Sequence, residues 1–212
     1  MSLPKTMPQS LHRVEPSLLS DSVLDQIFRS ARSFSQWKDK PVPESLIYEL
    51  YDLLKYGPTS ANCSPARFIF LQSKESKESL KPYLAQGNVE QTMSAPLTVI
   101  IAHDLKFYDH LPTLFPFVDA RSWFVGNETL IQDTAFRNAS LQAAYLIIAA
   151  RALGLDSGAM SGFDSEGVKH EFFADCADTM AITLLCNLGY GKVESLHPRA
   201  PRFDFEQVCQ IL

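Results

Sequence analysis

The stretch Gly57-Pro58-Thr59-Ser60-Ala61-Asn62-Cys63-Ser64-Pro65 places small residues, hydroxyls and an amide between a predicted helix and a predicted strand. Upstream, residues 43–56 carry apolar side chains at the spacing of one helix face, and glycine suits the position just after a helix. Downstream, residues 66–72 form a short β-rich run. The polar side chains therefore fall on a loop between packed elements, where binding groups are common. Such residues also cap ordinary turns, so the loop by itself leaves both interpretations open.

The rest of the chain alternates helical and extended patterns. We predict helices at residues 20–33, 43–56, 75–84, 134–153 and 165–174, and strands at residues 66–72, 97–103 and 179–189. Strands separated by helices favour an α+β or α/β fold. Residues 134–155 form a continuous helical pattern rich in alanine and leucine, and its small residues would let another helix approach closely.

Composition limits the class of protein without identifying it. The 212 residues are 46% hydrophobic and 20% charged, which suffices for one sizeable core, and no break in composition divides the chain. We predict a mobile N-terminal tail at residues 1–16 and a single domain over residues 17–212. A net charge of −5 with scattered basic residues argues against a nucleic-acid surface.

Membrane and redox signals are weak in this sequence. No apolar run reaches the roughly 18 residues that a membrane helix needs, so we predict no membrane span. The four cysteines show neither metal-ligand spacing nor secretory context. We therefore expect no metal site, and reduced thiols in a cytoplasmic protein.

Two segments carry a resemblance to the nitroreductase family of FMN enzymes. Pro58-Thr59-Ser60-Ala61-Asn62 is similar to the family's Pro-Ser-Ser-x-Asn loop, which lies along the flavin. Arg32-Ser33-Phe34-Ser35-Gln36-Trp37 is similar to the family's Arg-Ser-x-Arg-x-Phe segment. This match implies that Arg32 and Ser33 bind the phosphate and ribityl chain, since a guanidinium binds phosphate oxygens in bidentate fashion. Ser35 falls near the pyrimidine edge of the flavin, where many relatives have lysine or arginine.

Three further segments extend the resemblance. Gly87-Asn88 is similar to a Gly-Asn pair whose amide reaches the flavin ring, although such a pair alone is usually a turn. Met160, Ser161 and Gly162 take the place of a turn that presents backbone N–H groups to the reactive edge of the flavin. His197-Pro198-Arg199-Ala200-Pro201-Arg202 is similar to the family's Lys-x-Arg-x-Pro tail. Arg199 then belongs at the phosphate, and Arg202 is an additional candidate.

Residues 105–133 form an aromatic-rich insertion that is too long for a simple connection. On its residues alone it fits a satellite hydrophobic cluster and a substrate lid equally well. Its segments 107–112 and 114–124 resemble the branch that contains the malonic semialdehyde reductase of pyrimidine breakdown. Tyr108 and Arg121 are the candidate substrate residues, Arg67 is a second guess for a substrate carboxylate, and each arginine fits a structural ion pair equally well. Tyr108, His110 and water remain open as proton donors.

The resemblance implies an α+β fold of the nitroreductase type. This fold is a three-layer α/β/α sandwich around a central, mainly antiparallel sheet, and it forms a homodimer with the long helix at its core. The resemblance also implies that NADH or NADPH reduces bound FMN, which passes hydride to a small-molecule acceptor. Malonic semialdehyde is one candidate acceptor, and nitro groups and quinones also fit an open flavin. A flavin-dependent dehalogenase and a non-catalytic flavin-binding protein stay open as alternatives.

Overall fold

The computed structural model describes residues 17–212. The predicted tail at residues 1–16 lies outside the described residues, and the single domain over residues 17–212 stays a prediction. The helices are α1 (Asp21–Leu24), α2 (Glu44–Leu54), α3 (Lys74–Leu80), α4 (Gln86–Ser94), α5 (Leu111–Leu114), α6 (Glu128–Ala152), α7 (Ser165–Phe172) and α8 (Phe205–Val208). The strands are β1 (Ala66–Leu71), β2 (Leu97–Asp104), β3 (Asp156–Met160) and β4 (Met180–Gly189).

The four strands form one sheet in the order β1-β2-β4-β3, and every neighbouring pair is antiparallel. β1 and β3 are therefore the two edges of the sheet. All residues of β2 are buried, as expected for a central strand covered on both faces.

Helices cover both faces of this sheet. Successive side chains of a strand point to opposite faces. Val99 and Ile101 accordingly pack in a core cluster with residues of α2 and α6. Ile100 and Ala102 pack in a second cluster with residues of α3 and α7. The predicted three-layer sandwich with a central antiparallel sheet is confirmed.

The first helix is shorter than predicted. α1 continues as one π-helical turn, Asp25–Arg29, and regular helix ends there instead of at residue 33. Ser33 instead forms a parallel bridge with Ser157 of β3, and the Phe34 N–H group donates to the Ser157 carbonyl at 3.0 Å. Pairing with the sheet thus overrides the helical periodicity of the sequence.

Two elements are not predicted by the local sequence. Gly87 and Asn88, interpreted as a turn, lie in the first turn of α4. Lys77 stabilises the other end of α4, because its buried ammonium donates to the backbone carbonyls of Met93 and Ala95. β3 has the sequence Asp-Ser-Gly-Ala-Met, which carries little β-propensity, and it is held by its pairing with β4.

The long helix α6 begins six residues earlier than residue 134. Asn127 accepts a hydrogen bond from the Leu130 N–H group at 3.1 Å and caps the helix start. The connection before it is therefore shorter than the predicted insertion and contains short helical turns. Over residues 17–212, no helix combines the length and apolar character needed to cross a bilayer.

Candidate functional site

The segment around Arg32 and Ser33 lies directly against the edge strand β3. Gly158 of β3 makes this approach possible, since a Cβ atom on it would stand 2.2 Å from the Phe34 carbonyl oxygen. The bridge between Ser33 and Ser157 fixes the register of the segment. The fold therefore places Arg32 and Ser33 at the first residues of β3.

Arg32 and Arg199 meet at this end of β3 although they are far apart in the sequence. Arg32 Nη2 donates to the His197 carbonyl at 2.7 Å, and Arg199 Nη2 donates to the Ala31 carbonyl at 2.8 Å. Within residues 17–212, the arginines that form ion pairs are others, namely Arg29, Arg67 and Arg121. Two guanidinium groups without a carboxylate partner make this end of β3 suitable for an anion.

The other end of β3 presents hydrogen-bonding groups without net charge. Asn88 Nδ2 donates to the Gly162 carbonyl at 2.7 Å, and Gln91 donates to the Asn88 side-chain oxygen, which orients the amide. The backbone N–H groups of Ser161 and Gly162 have no hydrogen-bond partner in residues 17–212. Met160 ends the strand and contacts the hydroxyl of Thr92 through its sulfur.

These residues form one elongated group along a single sheet edge. We call this set the β3-edge group; it comprises Arg32, Ser33, Asn88, Met160, Ser161, Gly162 and Arg199. A strand rises about 3.3 Å per residue, so the two ends of β3 lie roughly 13 Å apart. The arrangement suits an elongated ligand with an anionic group at one end and a flat, hydrogen-bonding ring at the other. FMN has these features, since it carries a phosphate at one end and a ring system at the other.

The predicted flavin loop lies at the opposite edge of the sheet. We call residues 58–64 the β1-edge loop, because they lead into β1. Neighbouring strands are about 4.8 Å apart, so the two edges of this sheet are separated by roughly 14 Å. No hydrogen bond among the described residues joins the β1-edge loop to the β3-edge group. The described chain does not bring all predicted cofactor residues together.

Two remaining cofactor candidates make no hydrogen bond to the β3-edge group within residues 17–212. Ser35 is exposed, one residue beyond buried Phe34. Arg202 is exposed as well, and it donates only to the carbonyls of Ala200 and Pro201 beside it. The cofactor role of both residues stays a prediction.

The aromatic segment at residues 107–124 has a packed interior and an exposed surface. Phe107 and Phe124 are buried with edge-to-face rings 4.9 Å apart, and Tyr108 stacks on Phe124. Phe117 and Trp123 are exposed. The segment is therefore a satellite hydrophobic cluster whose outer face can still contact an acceptor.

The arginines proposed for a substrate carboxylate are both ion-paired. Arg67 Nη2 of β1 lies 2.7 Å from Oδ2 of buried Asp104 at the end of β2, which indicates a structural role for Arg67 between the two strands. Arg121 Nε lies 2.8 Å from Asp109 Oδ1, but both side chains are nearly half exposed. The bond to Asp109 uses Nε, and no other residue in 17–212 accepts a hydrogen bond from the terminal nitrogens of Arg121. Arg121 is therefore the better candidate.

The candidate proton donors differ in their surroundings. Tyr108 is half-buried under the Arg121 guanidinium, which lies 5.8 Å from its ring centre. His110 is exposed, with Nε2 at 3.7 Å from Asp104 Oδ2. Burial lowers the pKa of the neighbouring His103, which bonds to Thr183, so His103 is a structural imidazole.

Cys63, the cysteine in the β1-edge loop, is not placed for nucleophilic chemistry. It is buried as a free thiol, and burial raises its pKa to about 11, against a smaller opposing effect of its hydrogen bond to Thr59. A cleft of about 510 Å³ opens beside it and is lined by Asn62, Arg67, Phe68 and Gln142, among others. Within residues 17–212, no group of acidic, histidine and cysteine side chains could hold a metal ion.

Sequence reasoning misses two buried amides of α6. Asn138 and Gln142 are one helical turn apart and both are buried, although they belong to the long helix that the pattern treats as apolar. Polar side chains four residues apart on the buried stripe of a helix are the signal that could have identified them.

Comparison with known proteins identifies the fold and the family. The sequence profile of the nitroreductase family matches residues 28–190. A Burkholderia lata protein, provisionally named NADH dehydrogenase/NAD(P)H nitroreductase, is 58% identical over 193 residues, which cover 91% of this chain and 98% of that protein.

Two crystal structures share the fold at low sequence identity. One is a provisional nitroreductase from Exiguobacterium sibiricum in complex with FMN (20% identity, TM-score 0.81, covering 93% of this chain and 100% of that chain). The other is a provisional NAD(P)H:FMN oxidoreductase from Staphylococcus epidermidis (21% identity, TM-score 0.79, covering 96% of this chain and 99% of that chain).

Proposed function

The chain belongs to the nitroreductase family, and from this membership we propose that it is an FMN-dependent oxidoreductase. It takes hydride from NADH or NADPH and passes it to a small-molecule acceptor. The observation that carries the proposal is the β3-edge group, in which a pair of arginines and a set of neutral donors lie at opposite ends of one strand.

Each end of the β3-edge group fits one part of FMN. Arg32 and Arg199 would hold the phosphate, because both guanidinium groups lack a carboxylate partner among the described residues. Ser33 would contact the ribityl chain. Asn88 and the backbone N–H groups of Ser161 and Gly162 would hold the isoalloxazine ring, where the neutral donors match ring oxygens and nitrogens.

The protein's own residues supply orientation rather than acid or base chemistry. When bound, FMN accepts hydride at its ring and returns it to a second substrate. The N–H groups of Ser161 and Gly162 hold the edge of the site that faces the reacting molecules, and glycine leaves that face open. Ser35 carries no charge, so the backbone donors and Asn88 stabilise negative charge on the ring.

We propose that the active form is a homodimer. The β1-edge loop carries Thr59, Ser60 and Asn62 at the sheet edge opposite the β3-edge group, about 14 Å away. A second copy would bring its β1-edge loop to the β3-edge group of the first copy and complete the site. Phe136 and Leu141 are exposed on α6, which supplies apolar surface for this contact.

For the acceptor, we propose a short carbonyl acid, with malonic semialdehyde reduced to 3-hydroxypropionate as the specific case. The resemblance of residues 107–124 to the malonic semialdehyde reductase branch supports this acceptor. The terminal nitrogens of Arg121, which donate to no residue in 17–212, also suit a carboxylate. Reduction of the aldehyde needs a proton in addition to hydride, and Tyr108, His110 or water would supply it to the carbonyl oxygen.

A broad nitro or quinone reductase is the second candidate. The name of the 58% identical relative favours it, since that protein is provisionally named an NADH dehydrogenase/NAD(P)H nitroreductase. The exposed aromatic face of Phe117 and Trp123 would suit flat, apolar acceptors. For either acceptor, we propose a cytoplasmic location, as expected from the cysteines.

The visible spectrum of the purified protein tests the proposed function. We expect flavin absorption bands, release of FMN on denaturation, and oxidation of NADH or NADPH that depends on an acceptor. Malonic semialdehyde, a nitroaromatic compound and a quinone should be compared as acceptors. A protein that stays colourless and cannot be reconstituted with FMN contradicts the proposal. If the protein binds FMN and reduces nitroaromatics and quinones but never the semialdehyde, the proposed acceptor is wrong and the second candidate, a broad nitro or quinone reductase, is supported.

A further inference from the structure

The β1-edge loop is held from behind by the buried amide of Asn138 in α6. Asn138 is fully buried, and its Oδ1 accepts a hydrogen bond from the Ser60 N–H group at 2.8 Å. Its Nδ2 donates to the Thr134 carbonyl at 2.8 Å, one turn earlier in the same helix. Both halves of the amide are therefore engaged, which fixes the side chain and aims its acceptor at the loop.

Two more side chains of α6 hold the chain on either side, one at the start of the loop and one at the first residue of β1. Gln142 Oε1 accepts from the Ala66 N–H group at 2.9 Å, and the Tyr145 hydroxyl donates to the Pro58 carbonyl at 2.8 Å. Positions 138, 142 and 145 lie on one stripe of a helix. Gly57 leaves room for the tyrosine ring, because a Cβ atom there would lie 2.0 Å from it.

The held backbone is strained. Ala61, Asn62 and Ser64 have φ angles of 48°, 52° and 37°, in the left-handed region that residues other than glycine rarely adopt. Such a conformation persists only where surrounding contacts determine it, and it concentrates where a group must be aimed at a ligand. Here α6 supplies such contacts through Asn138, Gln142 and Tyr145.

Two side chains of the loop remain exposed. Ser60 and Asn62 are exposed, whereas backbone groups of residues 58, 60 and 66 are hydrogen-bonded to α6. The helix therefore holds this segment by its backbone and leaves the side chains of Ser60 and Asn62 at the surface. Asn62 Nδ2 donates to the Leu114 carbonyl at 2.9 Å, which links the loop to the aromatic segment.

We propose that Asn138 is a positioning residue for the cofactor, acting through the backbone of the β1-edge loop. This inference rests on the proposed function, because the ligand of the loop is the FMN of that site. Asn138 does not touch the flavin in this proposal. It holds the strained conformation in which Ser60 and Asn62 are presented, so that binding does not have to order the loop.

A pair of substitutions at position 138 separates the acceptor bond from simple packing. Asn138→Leu removes the acceptor for the Ser60 N–H group. Asn138→Asp retains an acceptor oxygen at the same place, and, because burial favours the neutral acid, its hydroxyl can donate to the Thr134 carbonyl in place of the amide. We expect Asn138→Leu to bind FMN about tenfold more weakly, the effect of one lost hydrogen bond, and Asn138→Asp to retain most of the affinity. Gln132→Ala, an exposed amide on α6, is the control and should leave the affinity unchanged.

Ala61→Val tests the held conformation independently of α6. A β-branched residue tolerates the positive φ of position 61 poorly, so the loop should leave its binding conformation more readily. We expect the FMN dissociation constant to increase several-fold. Ala61→Gly is the matched control, because glycine accepts a positive φ without strain and should bind FMN at least as tightly as the wild type.

The readouts are the FMN dissociation constant, from flavin fluorescence quenching on the purified apoprotein at 15 °C, and the melting temperature of the same sample. Asn138→Leu that melts earlier but binds FMN like the wild type overturns the inference, as does Ala61→Val with unchanged affinity. If Asn138→Leu does not fold, Ala61→Val decides alone. Wild-type protein that fails to bind FMN at all instead contradicts the proposed function, so the two failures are distinguishable.

Discussion

Arg32 and Arg199 each donate a hydrogen bond to a backbone carbonyl beside the other arginine. Arg32 Nη2 lies 2.7 Å from the His197 oxygen, and Arg199 Nη2 lies 2.8 Å from the Ala31 oxygen. This reciprocal arrangement joins the N-terminal segment to the C-terminal segment at one end of β3. It also brings two positive side chains to one end of β3, where both could bind the same anion.

Arg199→Ala should weaken FMN binding much more than riboflavin binding, since only FMN carries the phosphate. We expect roughly a tenfold to hundredfold loss for FMN, as for one charge-assisted hydrogen bond of about 1.5 to 3 kcal/mol. Titration of the apoprotein with each flavin measures the two affinities. Arg29→Ala, an exposed arginine paired with Asp21 and Asp25, is the matched control. Equal losses for both flavins would remove Arg199 from the phosphate site.

The flavin-loaded protein should be a homodimer. Leu141→Asp, which places a charge on an exposed apolar position of α6, should shift the protein to monomers and lower its flavin content together. Light scattering gives the mass, and the ratio of visible to ultraviolet absorbance gives the flavin content. Gln132→Ala on the same helix should remain dimeric. A stable monomer that retains its full flavin content contradicts the dimer, because its site would be complete in one chain.

Arg121→Ala should raise the Michaelis constant for malonic semialdehyde, by about tenfold or more if one charge-assisted contact to the carboxylate is lost. Reduction of the flavin by NADH or NADPH should stay nearly unchanged, because only acceptor binding is affected. Stopped-flow kinetics separate the two half-reactions. A neutral nitroaromatic acceptor provides the control, with the same constant in both proteins. Arg121 would be structural if both half-reactions slowed equally.

The buried imidazole of His103 should make the protein less stable in mild acid. Burial lowers the pKa of His103 below its usual value of about 6.5, and the nearby Asp104 opposes this only in part. As the pH falls below about 6.5, the unfolded state binds a proton that the native state does not, so the free energy of unfolding decreases. The decrease ends once the pH passes below the native pKa.

Urea unfolding at pH 7.5 and pH 5.0 measures this effect. His103→Gln removes the titrating group, and its stability should depend less on pH than that of the wild type over this interval. Gln132→Ala, an exposed substitution that adds and removes no titrating group, is the control and should show the same pH dependence as the wild type. The same slope in wild type and His103→Gln would exclude His103 as its source.

The four cysteines should react with iodoacetamide in the order of their exposure. Cys209 is exposed and should react first, whereas Cys63 and Cys186 are buried and should resist until the protein unfolds. Burial raises the pKa of Cys63 to about 11 and that of Cys186 to about 12, so little thiolate is present at neutral pH. Peptide mass spectrometry after timed labelling gives the order. Rapid labelling of Cys63 in the native protein contradicts this account of the β1-edge loop.

The sequence by itself determined the elements whose signals are local. The apolar spacing in α2 and the apolar runs of β1, β2 and β4 give these elements at nearly the observed positions, and the spacing in α6 gives its C-terminal end but not its start, which lies six residues earlier. The motif residues of the candidate site were also visible in the sequence, because the resemblance depends on residue types at short spacings. Their roles at the cofactor stay predictions.

Only the tertiary structure decided which residues share a sheet edge. β3 is a strand because β4 pairs with it, and the Ser33 segment leaves its helix because Ser157 pairs with it. Likewise, the role of the Asn138 amide depends on the folded chain, because only there does its oxygen accept a hydrogen bond from the Ser60 N–H group. These features depend on hydrogen bonds between residues that are far apart in the chain, and such pairing leaves no periodic signal in either partner's own sequence.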